Sequence, residues 1–274
     1  MALLERLRLI IAWLIIWPMV DFAQDKKFEP LSIDRPDISN LPNTVRPRHF
    51  QFELGGEYGV GVAAKKFEAP NLVMRTGINK KSEFRLGFTN AFNDSVGFKW
   101  DDKIIIATVS VKYRIVEEKG TRPAIALQPE VALPFGRGTD VDLTEANFTL
   151  MDYSLTVLFN NTLDERVFLN YNAGVLLDRN GNVDYLLSAS TSFAHTHRLG
   201  YFLEVYSIFG DKQFPLSFDG GVTYLVHPRV QFDIYGGNRD VGGNRYWFYG
   251  GGIGFRLDPE DIKPESFKKT GVYH

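Results

Sequence analysis

Cysteine is absent from the 274 residues, which removes disulfide frameworks, thiolate metal sites and cysteine nucleophiles together. An excess of either charge is missing too. With 31 basic side chains against 33 acidic ones, the chain offers no electrostatic footprint for a nucleic-acid partner. Beyond residue 48 no long run has helical spacing, and none approaches the roughly 20 apolar residues of a spanning helix. Methionine is scarce at four residues, whereas 25 glycines and 14% aromatics favour pleated strands and turns. Barrels commonly reach this length as one unit, so a single all-β domain is expected.

The one apolar run is short and lies at the start. Arg6 and Arg8 precede Leu9 to Val20, Pro18 falls near its end, and Asp21-Phe22-Ala23 leads into the polar Gln24-Asp25-Lys26-Lys27. This is the order of a secretory signal peptide, residues 1–23, so the mature chain is expected to be exported. Residues 24–47 are polar, and Pro30, Asp34-Arg35-Pro36-Asp37, Pro42 and Pro47 punctuate them without alternation. Such a segment fits a periplasmic linker. It equally fits a luminal plug in which Asp34, Arg35 and Asp37 pair with charges of a polar interior.

From residue 48 to 257 the recurring signal has period two. Phe50, Phe52, Leu54, Gly56 and Tyr58 share one face of a strand, and Gln51, Glu53, Gly55 and Glu57 the other. Twelve such segments begin near residues 50, 71, 83, 104, 124, 148, 167, 184, 201, 216, 230 and 246. No charged residue falls on the apolar rows. The opposite rows carry Glu53, Glu57, Arg75, Glu83, Arg85, Lys112, Arg114, Glu130, Asp152, Asp184, Glu204, Asp219, Asp233 and Arg256.

Periodicity alone does not separate inside from outside, because a soluble sandwich or barrel also alternates. The export signal favours lipid on the apolar side. So do aromatics near the row ends, Tyr58, Tyr113, Phe159, Tyr185, Tyr201, Phe209, Tyr224 and Trp247, placed as interfacial girdles. The expectation is a twelve-stranded antiparallel transmembrane β-barrel whose charged row lines the lumen. Connectors 59–69, 89–103 and 134–147 read as long outer loops, and the turns near 79–82, 116–121, 160–166, 194–199 and 227–229 as short ones. At 178–183, Asn180-Gly181 reads as a tight type I′ hairpin.

Other chemistry is weaker. His195 and His197 lack a third ligand at useful spacing, so no metal and no cofactor is expected. Ser190, Ser192 and His195 suggest a barrel hydrolase only if they meet in space, and no enzyme activity is expected. Gly250, Gly251, Gly252 and Gly254 lie inside a strand. They mark a bend or the close approach of another backbone in the lumen, and not a dinucleotide loop. Arg75 and Arg85 are expected to pair with Glu53 and Glu83 across the wall. Nine carboxylates against five bases along the row imply at most a mild cation preference.

Several segments resemble the meta-pathway phenol degradation protein family, described also as outer-membrane transporters. They are Ser32-Ile33-Asp34-Arg35-Pro36-Asp37, Leu72-Val73-Met74-Arg75-Thr76-Gly77-Ile78 and Phe202-Leu203-Glu204-Val205-Tyr206. Asp219-Gly220-Gly221-Val222-Thr223-Tyr224-Leu225 and Val230-Gln231-Phe232-Asp233-Ile234-Tyr235-Gly236-Gly237 complete the set. The resemblance implies an outer-membrane barrel with a transport role. One departure stands out: polar residues 258–274 follow Leu257, so Phe255 or Leu257 is expected to close the last strand in place of an aromatic terminus.

The expected function is a monomeric, porin-like channel or transporter in the bacterial outer membrane. It would sit in lipid and pass small solutes, hydrophobic or aromatic ones included. The other class of reading is a non-transporting structural or adhesion barrel that binds partners through its outer loops.

Overall fold

The computed structural model describes residues 31–35, 38–61, 65–94, 103–135, 151–210, 214–241 and 244–258. The expected signal peptide, Asp37, residues 95–102 and 136–147 of the two expected outer loops, and the tail from 259 lie outside the described residues.

Twelve strands follow in chain order: β1 (Phe50–Gly61), β2 (Lys65–Gly77), β3 (Ser82–Asp94), β4 (Lys103–Val116), β5 (Ala124–Phe135) and β6 (Asp152–Asp164) come first. Then come β7 (Val167–Leu177), β8 (Val183–Ala194), β9 (Leu199–Phe209), β10 (Ser217–His227), β11 (Val230–Val241) and β12 (Asn244–Leu257). Each pairs antiparallel with its sequence neighbours, and β1 pairs with β12 from Phe50↔Leu257 to Gly61↔Tyr246. Closure leaves no strand edge without a partner, which is what a sheet in hydrocarbon requires.

The wall is polar inside and apolar outside. Leu203 is 74% exposed, Ile234 67% and Trp247 64%, while Arg75, Glu83 and Lys112 are at 0%. Around a greasy centre these values would be reversed, so the exterior is a lipid-facing surface. Aromatic pairs bridge neighbouring strands near both rims. Phe52 stacks on Phe255 at 5.1 Å and Phe159 on Tyr171 at 4.9 Å towards one rim, and Tyr185 meets Phe209 at 5.7 Å towards the other.

Two expectations about connectors need correction. β2 starts at Lys65, so residues 62–64 alone join it to β1 and no long loop fills 59–69. Pro70 and the charged Lys65, Lys66 and Glu68 look like loop in sequence, but a register shift between Glu68 and Asn71 absorbs the proline and pairing continues beyond it. The turn at 178–182 is not type I′ either, since Gly181 alone has positive φ (85°) there. The Asp178 carbonyl accepts the Gly181 N–H at 2.9 Å, and its carboxylate accepts the Asn180 and Asn182 N–H groups at 2.8 Å. That is the longer loop built on a type I turn with a left-handed glycine at its end.

Candidate functional site

Residues 31–35 and 38–49 form neither helix nor strand, so their peptide groups need partners from elsewhere. The segment runs inside the barrel with Leu31, Ile33, Asp34, Ser39 and Val45 buried. Barrel side chains supply the partners. Glu204 accepts the Ile38 and Ser39 N–H groups at 2.8 and 2.6 Å, and Glu83 accepts that of Val45 at 2.6 Å. Gln51 and Arg75 donate to the Ser32 carbonyl at 2.7 and 3.1 Å, and Lys112 to that of Leu41 at 2.7 Å. Ionised groups are in the lumen because an irregular backbone there has to be hydrogen-bonded.

At the centre of these contacts lies a charge knot. Lys112 Nζ is 2.7 Å from Asp34 Oδ2, Arg75 Nη1 is 3.4 Å from it, and Arg85 Nη1 bonds the same oxygen. Arg75 also reaches Glu53 at 2.8 Å and Glu83 at 3.0 Å, and Arg85 reaches Glu83 at 3.2 Å. The cations come from three consecutive strands, β2, β3 and β4, so register alone brings them together. Burial opposes ionisation of Asp34, but Arg75, Lys112 and Arg85 outweigh it and hold the carboxyl well below the usual carboxylate range.

Arg35 takes the opposite direction. Its Nη2 lies 3.3 Å from Asp233, and its guanidinium carbon sits 5.9 Å from the Tyr235 ring centroid. Gly55 and Gly252 leave the space it occupies, since a β-carbon at either would collide with the guanidinium. At Gly254 a β-carbon would collide with Ile33. The late glycines thus serve the close approach of the N-terminal segment.

A second charged group lies closer to the rim formed by connectors 62–64 and 242–243. Arg239 holds Glu57 through both terminal nitrogens at 3.1 and 3.2 Å, donates to the Tyr206 hydroxyl at 3.0 Å, and stacks 4.6 Å from the Phe248 ring centroid. Sequence reasoning did not single out Arg239, and it gave no lumen role to Tyr206 or to Gln51, although it set Gln51 on the polar row of the first strand. Extending the β11 alternation from Gln231 and Asp233 through Tyr235 and Gly237 would have placed Arg239 on the inner row.

The remaining sequence candidates stand apart from the knot. Glu130 faces Ser110 in the β4–β5 register, and Asp219 faces Glu204 across β9–β10. Asp152 accepts the Arg179 N–H at 2.9 Å, Asp184 lies on the inner row of β8, and Arg114 donates to the Lys80 carbonyl at 2.9 Å. Arg256 pairs with Asp258 at 2.9 Å. His195 packs 5.9 Å from the Tyr201 ring, and among the described residues no group of three His, Asp or Glu is placed to hold a metal.

Around this segment the open space is lined by polar and apolar side chains together. A cavity of about 720 Å³ lies at the rim that bears both strand termini, between the N-terminal segment and the inner faces of β6–β9. Asn160 donates to Asn170 at 2.7 Å on its wall, and Ser39 donates to Ser188 at 2.8 Å deeper in the lumen.

Comparison with known proteins agrees with this architecture. An outer-membrane channel from Pseudomonas putida F1 superimposes with a TM-score of 0.56 at 12% identity, covering 82% of this chain and 100% of that one. The NanC porin gives 0.51 at 13% identity, with 75% and 100% covered. The KdgM porin gives 0.50 at 9%, with 75% and 99% covered. At such identities the likeness is one of fold alone, that of a closed antiparallel β-barrel. No curated protein matches the sequence. An apolar exterior around a polar interior fits one solvent arrangement, and the bacterial outer membrane is where this barrel resides. Residues 33–257 match the family described as "Putative MetA-pathway of phenol degradation", and the chain belongs to that family.

Proposed function

We propose that the protein is an outer-membrane channel for small solutes whose lumen is narrowed by residues 31–49. One observation carries this reading: Asp34 of that segment accepts from Arg75, Arg85 and Lys112 on three adjacent strands. A linker that merely preceded the barrel would need no such buried anchor. The segment crosses the lumen, bonding β1 to β4 on one side and Glu204 and Ser188 on the other. The space left for a solute is therefore bounded by this segment, by Asn160, Thr162, Asn170 and Ser192 of β6 to β8, and by charged side chains such as Arg114 and Arg256. Selectivity in such a passage follows from its width and from the charges along it.

Liposome swelling with sugars, amino acids and phenols tests the reading. Flux is expected from the intact barrel, and faster flux from one lacking residues 24–47. Absence of conductance and flux in both would overturn it.

A further inference from the structure

The cavity at the termini rim carries many charged side chains, yet those among the described residues are all engaged. Arg35 pairs with Asp233 at 3.3 Å, Arg256 with Asp258 at 2.9 Å, and Arg114 with Glu117 at 3.8 Å and the Lys80 carbonyl at 2.9 Å. Arg46 and Arg198 are not without partners either. Of the carboxylates on the lining, Glu118 accepts the Thr162 hydroxyl at 2.9 Å and Asp34 belongs to the charge knot. The knot sets Arg75, Arg85 and Lys112 against Asp34, Glu53 and Glu83, three charges of each sign. A charged solute would have to draw one of these groups from its partner or enter without a counter-charge, and both are costly away from bulk water. The excess of carboxylates along the inner row therefore does not carry over to this cavity.

What the cavity offers a solute is neutral. Thr162 stands opposite Phe168 in the β6–β7 register, and Phe168 opposite Ser192 in that of β7–β8, so a half-buried ring lies between two hydroxyls. Asn160 and Asn170 form the next inner row, deeper in the lumen. Thr223 of β10 and Gln231 of β11 add a hydroxyl and an amide to the lining, and Phe202 of β9 adds a second ring. Opposite residues of neighbouring strands have β-carbons about 4.5–5.5 Å apart, so one ring-sized solute reaches hydrogen-bonding groups on two strands at once. Amides and hydroxyls both donate and accept, as a run of adjacent hydroxyl groups requires. A single hydroxyl on an apolar body would leave most of these groups without a partner. A volume of about 720 Å³ lies within the range of small-molecule sites. We infer that this cavity is a binding vestibule for uncharged sugars and cyclic polyols, the hydroxyls on Thr162, Ser192, Thr223 and Gln231 and a flat C–H face against Phe168.

The inference rests on the channel reading and names its solute class, but binding is measured without transport. Glucose, glucuronate, glucosamine and cyclohexanol share a six-membered ring and differ in charge or in hydroxyl number. Each is titrated calorimetrically into the full barrel, in a detergent without a sugar head group and a mildly acidic buffer that keeps the amine charged. The expected result is glucose binding at least fivefold tighter than any other probe, with an affinity that stays constant as salt is raised, because no charges pair on binding. Gln231→Leu and Ser192→Ala should each reduce glucose affinity about threefold, and Phe168→Ala about fivefold. Heat-modifiable gel mobility confirms that each variant is folded, and Ser192→Ala, the smallest change, gives the test should the others fail to fold. A glucose preference below fivefold, a salt-dependent glucose affinity, or unchanged glucose affinity in the folded variants overturns the vestibule. Glucose binding without flux of any solute would leave the vestibule standing and remove the channel; flux without glucose preference would do the reverse.

Discussion

The Lys112 ammonium lies 2.7 Å from the Asp34 carboxylate across 78 residues of sequence, tying the start of the chain to the fourth strand of a barrel that closes only at residue 257. Removing the Asp34 charge leaves Arg75, Arg85 and Lys112 facing Glu53 and Glu83 alone. Losing one partner of a buried ion pair costs about 3–5 kcal/mol. For Asp34→Asn this cost falls on docking of the segment, because the strand ladder does not involve Asp34. The expected outcome is higher single-channel conductance and rapid proteolysis near residues 31–49, with gel mobility of the folded barrel retained. Unchanged conductance and protection would refute the anchor.

The same residue sets a pH dependence. Its carboxyl titrates well below its ordinary value when docked, so it binds fewer protons docked than released. Its contribution to docking is fully present above the ordinary carboxylate range and is lost as pH falls through the depressed value. Conductance in planar bilayers should therefore stay level from pH 7 down to about 4, the ordinary carboxylate value, and rise only in stronger acid. A rise between pH 7 and 5 would assign control to another group.

Glycines on the inner wall give a test that leaves charge alone. At Gly55 a β-carbon would overlap the Arg35 guanidinium, the far end of a flexible side chain, which must shift to make room. Gly55→Ala should release Arg35 from Asp233 and loosen residues 31–35, with little change in the barrel's unfolding temperature. Limited proteolysis and thermal gel-shift curves separate the two effects. A large fall in barrel stability with the segment still protected would count against this role for the glycine.

Much of this was legible in the sequence, for identifiable reasons. Twelve rows of alternation forecast twelve strands, because a side chain's face depends only on parity along a strand. Asp34 and Arg35 stood out as charges in a proline-rich stretch with no core of its own. Their partners were legible in type but not in pairing, since the path of an irregular segment through a lumen leaves no periodic trace. Glu204 shows this best: nothing in Phe202-Leu203-Glu204 says that it accepts the N–H groups of residues 38 and 39. The short first connector was hidden by Pro70, whose helix- and strand-breaking chemistry is the same whether it sits in a loop or at a bulge.

Arg239 and Glu57 make a bidentate pair that Tyr206 and Phe248 enclose. Arg239→Gln would strand a Glu57 side chain that is 12% exposed and cost about 3 kcal/mol. Arg239→Lys restores the charge but not the planar fork, and should recover part of the loss. The shift of unfolding temperature in thermal gel assays is the measurement. Equal behaviour of the Gln and Lys variants would mean that the pair contributes through packing alone.

Ile234 and Asp233 are neighbours on β11, one 67% exposed on the outside and the other 3% exposed within. Parity puts them in different solvents, and a lysine at 234 would have to enter hydrocarbon. For barrel walls that cost is about 2–4 kcal/mol near the bilayer midplane and about 0–1 kcal/mol near the interfaces. Leu203, at 74% exposed on β9, gives a second outward position. Ile234→Lys and Leu203→Lys should therefore lower the fraction of barrel that inserts into lipid vesicles. Were the exterior bathed in water, a lysine at such open positions would be neutral or would aid solubility. Insertion yield measured by gel mobility after refolding into vesicles decides between the two, and unimpaired insertion of both variants would remove lipid from the outer wall.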